Sequence, residues 1–349
     1  MGLSLPVIEA APAAPAEAAE GPLRDAYGRA IRDLRLSLTD RCNFRCVYCL
    51  DPDVRFMERN RLLTAAQLLA CARVCVGLGV RKIRLTGGEP TLHPELDAII
   101  AGCAALGVED LAMTTNGALA DRAALERWRA LGLDRITFSL DSVRPDRFAQ
   151  MTRSTASVEQ IIDAIASAKQ AGLDPVRINA VIVRGFNEDE VAPLAGLARD
   201  LGVEVRFIEF MPLDAGHRWD RNSVVAAAEI RARIEQRWPL APIGRDEPSA
   251  TALKFRFADG APGGVGLIAP VTRSFCGACS RLRITADGKV RPCLFSRDEW
   301  DIRPLLRDGA DDVALERFIR GAVWQKQAGH GIGAEDFEQP ERTMSAIGG

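Results

Sequence analysis

The chain reads as an α/β protein: a parallel sheet of strand–helix units, followed by a smaller lobe of mixed α and β character. Three observations predict this. A unit of roughly 30–40 residues, strand first and helix second, recurs from residue 33 to about residue 237. The helices commonly stop at a glycine, at Gly79, Gly107, Gly132, Gly172 and Gly202, where the left-handed turn that closes a helix is free of strain. Past Trp238 the rhythm breaks into proline-bearing connections and short β runs.

Strand 34–38 precedes a helix over 65–78, and strand 82–86 a helix over 94–106. Strand 110–115 precedes 121–131, 135–140 precedes 158–171, 177–183 precedes 188–201, and 204–210 precedes 224–238. Strands that each return through a helix lie parallel, with right-handed crossovers. Six such units are two short of an eight-stranded barrel, and function belongs at the C-terminal rim of their strands. Pro239-Leu240-Ala241-Pro242 and Asp246-Glu247-Pro248-Ser249 read as linker. β runs follow at 254–257, 264–268 and 281–285, then a helix over 312–326 and a glycine-rich tail. The division expected is a lead-in over 1–22, the repeating unit over 23–238 and the C-terminal lobe over 239–349.

The lead-in is rich in Ala, Pro and Glu and reads as disordered. It has no basic n-region and no apolar run long enough for a signal peptide or a span, so the chain is expected in the cytoplasm, away from membranes. A formal charge of −2 does not indicate a nucleic-acid surface. Nine cysteines are too sparse for a disulfide scaffold, and their spacing points to metal. Cys71, Cys75 and Cys103 fall on predicted helices and read as buried apolar fillers.

Cys42, Cys46 and Cys49 stand at Cys-x-x-x-Cys-x-x-Cys spacing after the first strand. So short a loop wraps its sulfurs around one centre and leaves little slack for a fourth thiolate. A ferredoxin cluster or a four-thiolate zinc site wants four protein ligands. Three on a 4Fe–4S cube leave one iron open, although structural zinc with a remote fourth ligand also fits the spacing. Cys276-Gly277-Ala278-Cys279 and Cys293 form a second set of three. Asp287-Gly288 between them is a two-residue hairpin signal that pairs Ala286 with Lys289 and Leu282 with Cys293, bringing Cys293 back to Cys279. Zinc is again the alternative. Arg281 and Arg283 share one strand face beside the second set and suit a polyphosphate, or else are solvated. His217 and His330 are too isolated to assign as ligands.

The rim carries further polar groups at the ends of apolar strands. They are Gly87-Gly88-Glu89-Pro90, Thr114 to Gly117, Ser139 and Asp141, Asn179 and Arg184, and Glu209 with Met211. Singly each reads as a turn or cap; in register they favour a ligand site. Gly87 and Gly88 would let a ligand approach the backbone, and Glu89 could accept from an ammonium.

The cysteine loop, with Leu34 to Asp40 upstream and Thr86-Gly87-Gly88-Glu89-Pro90 later, resembles the radical S-adenosylmethionine (SAM) enzymes. In those enzymes SAM chelates the open iron, and reduction of the cluster releases a 5′-deoxyadenosyl radical. That resemblance implies an incomplete (β/α)6 TIM-like barrel with a small C-terminal α+β lobe carrying a second Fe–S cluster. Cys-x-x-Cys, the distance to Cys293 and the Arg281-Leu282-Arg283 run narrow the resemblance to the GTP 3′,8-cyclases of molybdenum cofactor biosynthesis. It extends from about Asp25 to Gly349 and takes in Arg206 to Met211 and the terminal Gly348-Gly349.

The resemblance implies a role for each matching residue. Cys42, Cys46 and Cys49 hold the first 4Fe–4S cluster, and Cys276, Cys279 and Cys293 the second. Tyr48, Gly88, Ser139 and Met211 contact SAM. Arg35, Arg84, Thr114, Arg177, Arg281, Leu282 and Arg283 lie against GTP. Arg281, Arg283, Gly348 and Gly349 serve catalysis, the tail threading into the cavity. Arg177 stands where the family has a lysine, which keeps the charge and changes the geometry. The implied reaction converts GTP to 3′,8-cyclo-7,8-dihydro-GTP. The implied partners are a flavodoxin- or ferredoxin-like electron donor and a downstream cyclic pyranopterin monophosphate synthase, with a homodimer left open. The alternatives are another two-cluster radical SAM enzyme, such as one that modifies peptides, and a zinc-binding interaction protein without catalysis.

Overall fold

The computed structural model describes residues 7–8, 20–307, 309, 311–335 and 337–349. The six expected strands form, each offset by at most a residue from the sequence reading: β2 Asp33–Ser37, β3 Lys82–Thr86, β4 Asp110–Thr115, β5 Arg135–Ser139, β6 Arg177–Ile182 and β7 Glu204–Glu209. They pair parallel in chain order. Between them run α1 Ala65–Gly77, α2 Leu96–Ala105, α3 Arg122–Ala130, α4 Pro145–Thr152, α5 Val158–Gln170 and α6 Val191–Leu201, with α7 Ala227–Glu235 after β7. Thr64 opens α1 with a capping box to Gln67, and Asp121 and Ser157 cap α3 and α5, each side chain satisfying an otherwise orphaned amide.

The sequence reading has no place for α4. Pro145 at its first turn, Asp146 beside it and Phe148 with Met151 three apart were the available signal. Its C-terminal end accepts hydrogen bonds from the cysteine loop, Arg45 N–H to Thr152 O at 2.8 Å and Val47 N–H to Met151 O at 3.0 Å. Phe148 packs edge-on against Phe44, with ring centroids 6.1 Å apart.

Two parts of the sequence reading are corrected at the sheet edges. The presumed linker at 239–242 forms strand β8 Leu240–Gly244, which pairs antiparallel with β9 Leu253–Phe257; an edge strand tolerates the proline that a central one would not. Val7–Ile8, within the supposed disordered lead-in, is a short strand β1 parallel to β13 Glu299–Asp301. The rest of the lead-in before Glu20 lies outside the described residues.

The C-terminal lobe is continuous with the sheet. β10 Gly264–Ile268 adds parallel to β7, and β11 Arg281–Ile284 adds parallel to β2. One edge therefore continues through β10, β9 and β8. The other continues through β11, β12 Lys289–Arg291, β13 and β1, giving a sheet of 13 strands among the described residues. Helices α8 Arg303–Arg307, α9 Asp312–Trp324 and α10 Met344–Ile347 complete the chain. Cys71, Cys75 and Cys103 are fully buried in the helix–sheet core, as expected.

The β11–β12 hairpin is one residue out of the expected register. Arg283 faces Arg291 and Ile284 faces Val290, so Leu282 does not pair with Cys293. Ala286, Asp287 and Gly288 form a three-residue turn, with Gly288 at φ +75° taking the left-handed position. Arg342 then ties the tail to this hairpin, reaching Asp287 and Glu299 at 2.8 and 2.7 Å. Both carboxylates are buried. Removing the cation while leaving the carboxylates is the costly way to break such a pair. Arg342→Met should therefore lower the unfolding free energy by about 3 kcal/mol in urea titrations; a change within experimental error would show that the clip carries no stability.

Candidate functional site

All six cysteines expected to bind metal line one cavity of about 290 Å³ at the C-terminal ends of the strands. The first set sits in the loop after β2. Its main chain turns so that Cys49 N–H reaches Cys46 O at 2.9 Å, while Phe44 N–H points at Cys42 Sγ at 3.4 Å. Asn116 Nδ2 lies 3.9 Å from the same sulfur and donates to Asn43 Oδ1 at 2.7 Å. Burial pushes the Cys42 thiol up to about 11 and Cys49 to about 12, and drives Cys46 well above its ordinary value with Asp141 adding to it.

The second set has different surroundings. Burial pushes the Cys276 thiol up, but the neighbouring His330 and Ser274 side chains outweigh it and bring the thiol to about 6. Burial acts likewise on Cys279, which Arg281 and Lys326 pull below its ordinary value, while Cys293 stays raised by burial despite Lys326. Lys326 is itself buried and donates to Arg281 O at 2.7 Å and to Pro292 O.

These donor sets fit iron–sulfur clusters. Each offers three thiols at a cavity wall, with N–H groups or cations at hand to stabilise thiolate. Among the described residues no three His, Cys, Asp or Glu side chains close on a single ion-sized point; a four-iron cube is wider than one ion and spreads its ligands further apart.

The residues expected at SAM also line the cavity: Tyr48, Gly88, Ser139 and Met211. Tyr48 OH donates to Asp141 Oδ2 at 2.6 Å, and Asp141 Oδ1 accepts from Val181 N–H at 2.8 Å. Burial raises Asp141 to about 6.

The Gly-Gly-Glu-Pro turn also serves the fold. Gly88 packs closely on the chain itself, where a Cβ would meet Arg41 O at 2.4 Å and Asp40 O at 2.5 Å. Gly88 N–H and Glu89 N–H bind Thr39 O and Arg41 O, both at 2.7 Å, which docks the turn under the cysteine loop. The Glu89 carboxylate already accepts from Thr91 N–H and hydroxyl, from Thr115 Oγ1 and from Asn116 N–H. It braces the loops after β3 and β4 and has little capacity left for an ammonium. Glu209 likewise braces loops, accepting from Ala227, Val271 and Thr272 N–H. Arg184 lies away from the cavity, paired with Glu229 at 2.7 Å on the surface.

A second cavity of about 650 Å³ lies beneath the first, and Arg35, Thr251 and Arg281 line both. It is walled by Arg35, Arg84, Arg135, Arg177, Arg206 and Arg281, with Lys82 and Lys254. Sheet register explains the row. Arg283 of β11 stands beside Arg35 of β2, and Arg35 beside Arg84 of β3. Arg84 donates only to hydroxyls, Thr114 Oγ1 at 3.0 Å and Thr137 Oγ1 at 3.3 Å. Arg283 donates to Gly348 O at 2.6 Å. Among the described residues none of these three has a carboxylate within ion-pair distance. Burial lowers Arg35 to about 10, with Arg281 adding to it, and holds Arg84 and Arg283 well below their ordinary value, with neighbouring arginines contributing. Unpaired guanidiniums set this close repel one another and stand ready for a polyanion.

Arg177 lines the second cavity, 3.5 Å from Glu204. Thr114 lines the first. Leu282 is the exception: its side chain is fully buried in register with Leu34 and lines neither cavity. Arg135 and Arg206 were missed. Their signal was alternation, each standing on a strand where neighbouring side chains point into the core. Arg135 binds Asp110 at 2.6 and 2.5 Å, and Arg206 leans on Glu204. His330, set aside in the sequence, lines the first cavity.

The tail enters the site. Gly349 lines the cavity, and Gly348 at φ +85° sits where a Cβ would be 2.7 Å from Ser37 Cβ and 2.9 Å from Thr86 Oγ1.

Comparisons with known proteins agree with this geometry. Residues 36–198 match the Radical SAM superfamily and residues 203–332 match Molybdenum Cofactor Synthesis C. A protein of Mycolicibacterium smegmatis named GTP 3′,8-cyclase is 46% identical over 338 residues, 95% of this chain and 93% of its own. One of that name from Streptomyces coelicolor is 43% identical over 330 residues, 94% and 96% of the two chains. Among solved structures, Streptococcus suis SuiB bound to precursor peptide SuiA aligns over 89% of this chain and 69% of its own, with a TM-score of 0.61 at 14% identity. The native anSMEcpe structure with bound AdoMet aligns over 86% and 82%, with a TM-score of 0.54 at 13% identity. At such identities these structures share the fold alone.

The contrast between the cysteine sets is testable in metal-free protein. At pH 7 Cys276, lowered to about 6, is mostly thiolate, while Cys42 and Cys49, near 11 and 12, are thiols. The thiolate is the nucleophile, so brief iodoacetamide treatment read by mass spectrometry should label Cys276 well before the first set. Equal labelling would contradict the electrostatic difference.

Proposed function

Since the chain belongs to the GTP 3′,8-cyclase family, we propose from that premise which of its residues carry the reaction and how. It is a radical SAM lyase that converts GTP to (8S)-3′,8-cyclo-7,8-dihydroguanosine 5′-triphosphate, the first step of molybdenum cofactor biosynthesis, with two 4Fe–4S clusters and SAM. When bound, the first cluster and SAM supply the hydrogen-abstracting radical chemistry.

The observation that carries the assignment of residues is the row Arg283–Arg35–Arg84, which starts in the cavity that both cysteine triads line and continues into the cavity beneath. Cys42, Cys46 and Cys49 hold the first cluster; Tyr48, Gly88, Ser139 and Met211 hold SAM. Cys276, Cys279 and Cys293 hold the second cluster. The arginine-rich lower cavity takes the triphosphate, with Arg35, Arg84, Arg177 and Arg281 as donors, joined by Arg206. Planar guanidiniums match phosphate oxygens two at a time. With the triphosphate held there, the guanine end points to the upper cavity and the second triad. Thr114, held by Arg84, lies against the nucleotide. Leu282, with its side chain buried, lies against GTP through its main chain.

The substrate chemistry balances on that placement. One hydrogen atom leaves ribose C3′, C3′ bonds to C8 of guanine, and one electron with one proton complete the dihydro product, which has the formula of GTP. Arg281 and Arg283 keep the nucleotide in that geometry; Arg283 also grips Gly348 and so sets the tail. The sheet beneath and the tail above exclude water from the reacting atoms.

No described helix is long and apolar enough to cross a membrane. We place the enzyme in the cytoplasm with a flavodoxin- or ferredoxin-like electron donor and a cyclic pyranopterin monophosphate synthase that takes the product. A homodimer is the assembly to test by light scattering. Another two-cluster radical SAM activity, on peptides for instance, has no support in the arginine row, which asks for a polyanion.

Anaerobic incubation with GTP, SAM and a reductant should form 5′-deoxyadenosine only when GTP is present. Equal formation without GTP would count against this substrate. Arg281→Ala and Arg283→Ala should each weaken GTP binding roughly 10- to 100-fold, the range for one charge-assisted hydrogen bond, at unchanged iron content. Loss of iron would make these arginines structural.

A further inference from the structure

His330 is a half-buried ring at the wall of the upper cavity, two residues beyond the turn that follows α9. Its Nδ1 accepts the Ile332 N–H at 3.1 Å, which puts the ring proton on Nε2. That Nε2 is buried and has no hydrogen-bond partner. A buried donor without an acceptor is costly, so its position needs a reason.

The chain holds the ring there firmly. Phe295 packs on it, ring centroids 5.3 Å apart, and Phe337 backs Phe295 at 6.2 Å. Arg29 joins the turn before His330 to the second cysteine set: its Nη1 donates to Cys276 O at 2.9 Å and Ala328 O at 2.8 Å, its Nη2 to Gln327 O at 2.7 Å. Asp25 holds Arg29 in turn at 2.6 Å. The main chain at Gly329 rides so close that a Cβ there would be 4.0 Å from Cys276 Sγ.

We propose that His330 is a positioning residue of the second cluster: its Nε2–H donates to a cluster sulfur beside Cys276 and sets that cluster's reduction potential. The proposal rests on the reading that Cys276, Cys279 and Cys293 hold a 4Fe–4S cluster. A donor to sulfur stabilises the more negative, reduced state and so raises the potential. Arg29 acts through His330 by fixing the turn.

The test uses the full-length chain with Cys42, Cys46 and Cys49 replaced by alanine, reconstituted so that only the second cluster remains, and follows its reduction by electron paramagnetic resonance without substrate. In this background His330→Phe keeps the aromatic packing and loses the donor; its potential should shift to more negative values. His330→Gln puts an amide N–H where Nε2 stood and should return the potential toward that of the parent. Loss of iron in His330→Phe with retention in His330→Gln would also support the donor role. An unshifted potential in His330→Phe, or equal shifts in Phe and Gln variants, would overturn it. A parent chain that binds no iron would instead overturn the second-cluster reading itself, and the proposal with it.

Discussion

The parallel pairing of β11 with β2 is the contact on which the rest depends. It joins a strand near the end of the chain to the first strand of the repeating units, in the register Arg281 to Asp33 and Arg283 to Arg35. Two consequences follow. The second cysteine set, which flanks β11, is carried to the same cavity as the first, which follows β2. The arginines of β11, β2 and β3 come to lie abreast. Ser280 O accepts from both Arg32 and Asp33 N–H, and the Ser280 hydroxyl binds the Asp33 carboxylate, so the junction is sealed at its lower end.

That junction makes a chamber with two unlike metal environments. The first triad lies among Asp141, Glu89 and buried apolar surface, and its thiols are driven up. The second lies among Arg281, Lys326 and His330, which favour thiolate at two of its three sulfurs. The row of arginines that leads from this chamber into the lower cavity has hydroxyls and a backbone carbonyl for partners instead of carboxylates. A charge arrangement of this kind is expensive in an empty protein and becomes favourable with a triphosphate in place.

The six strand–helix units were legible because each repeats a local pattern: an apolar strand, a helix with a capped start, a glycine at its end. The first cysteine set was legible for the same reason, being confined to one short loop. What was not legible was set by contacts remote in sequence. Nothing local in Arg281–Ile284 says that it will lie beside Asp33–Ser37. Asp287-Gly288 looks like a two-residue turn, and Asp287 instead joins a three-residue turn in which it accepts from Thr285 and Arg342. Leu282 was assigned by the family resemblance, which does not say which way its side chain turns; strand alternation turns it into the core between two arginines. His330 was passed over because a lone histidine has no pattern; it is brought to the cavity by contacts remote in sequence, Phe295 against its ring and Arg29, which ties the turn before it to Cys276 across 247 residues.

The central claim is that the arginine row and the second cysteine set face one nucleotide. It is tested most directly by the electron paramagnetic resonance spectrum of the reduced second cluster during a GTP titration, in the chain with Arg84 intact and in Arg84→Ala. The account predicts that GTP perturbs the spectrum in both, and that the variant needs roughly 10- to 100-fold more GTP. A spectrum that never responds to bound GTP, or one that responds at the same concentration in both chains, would contradict it.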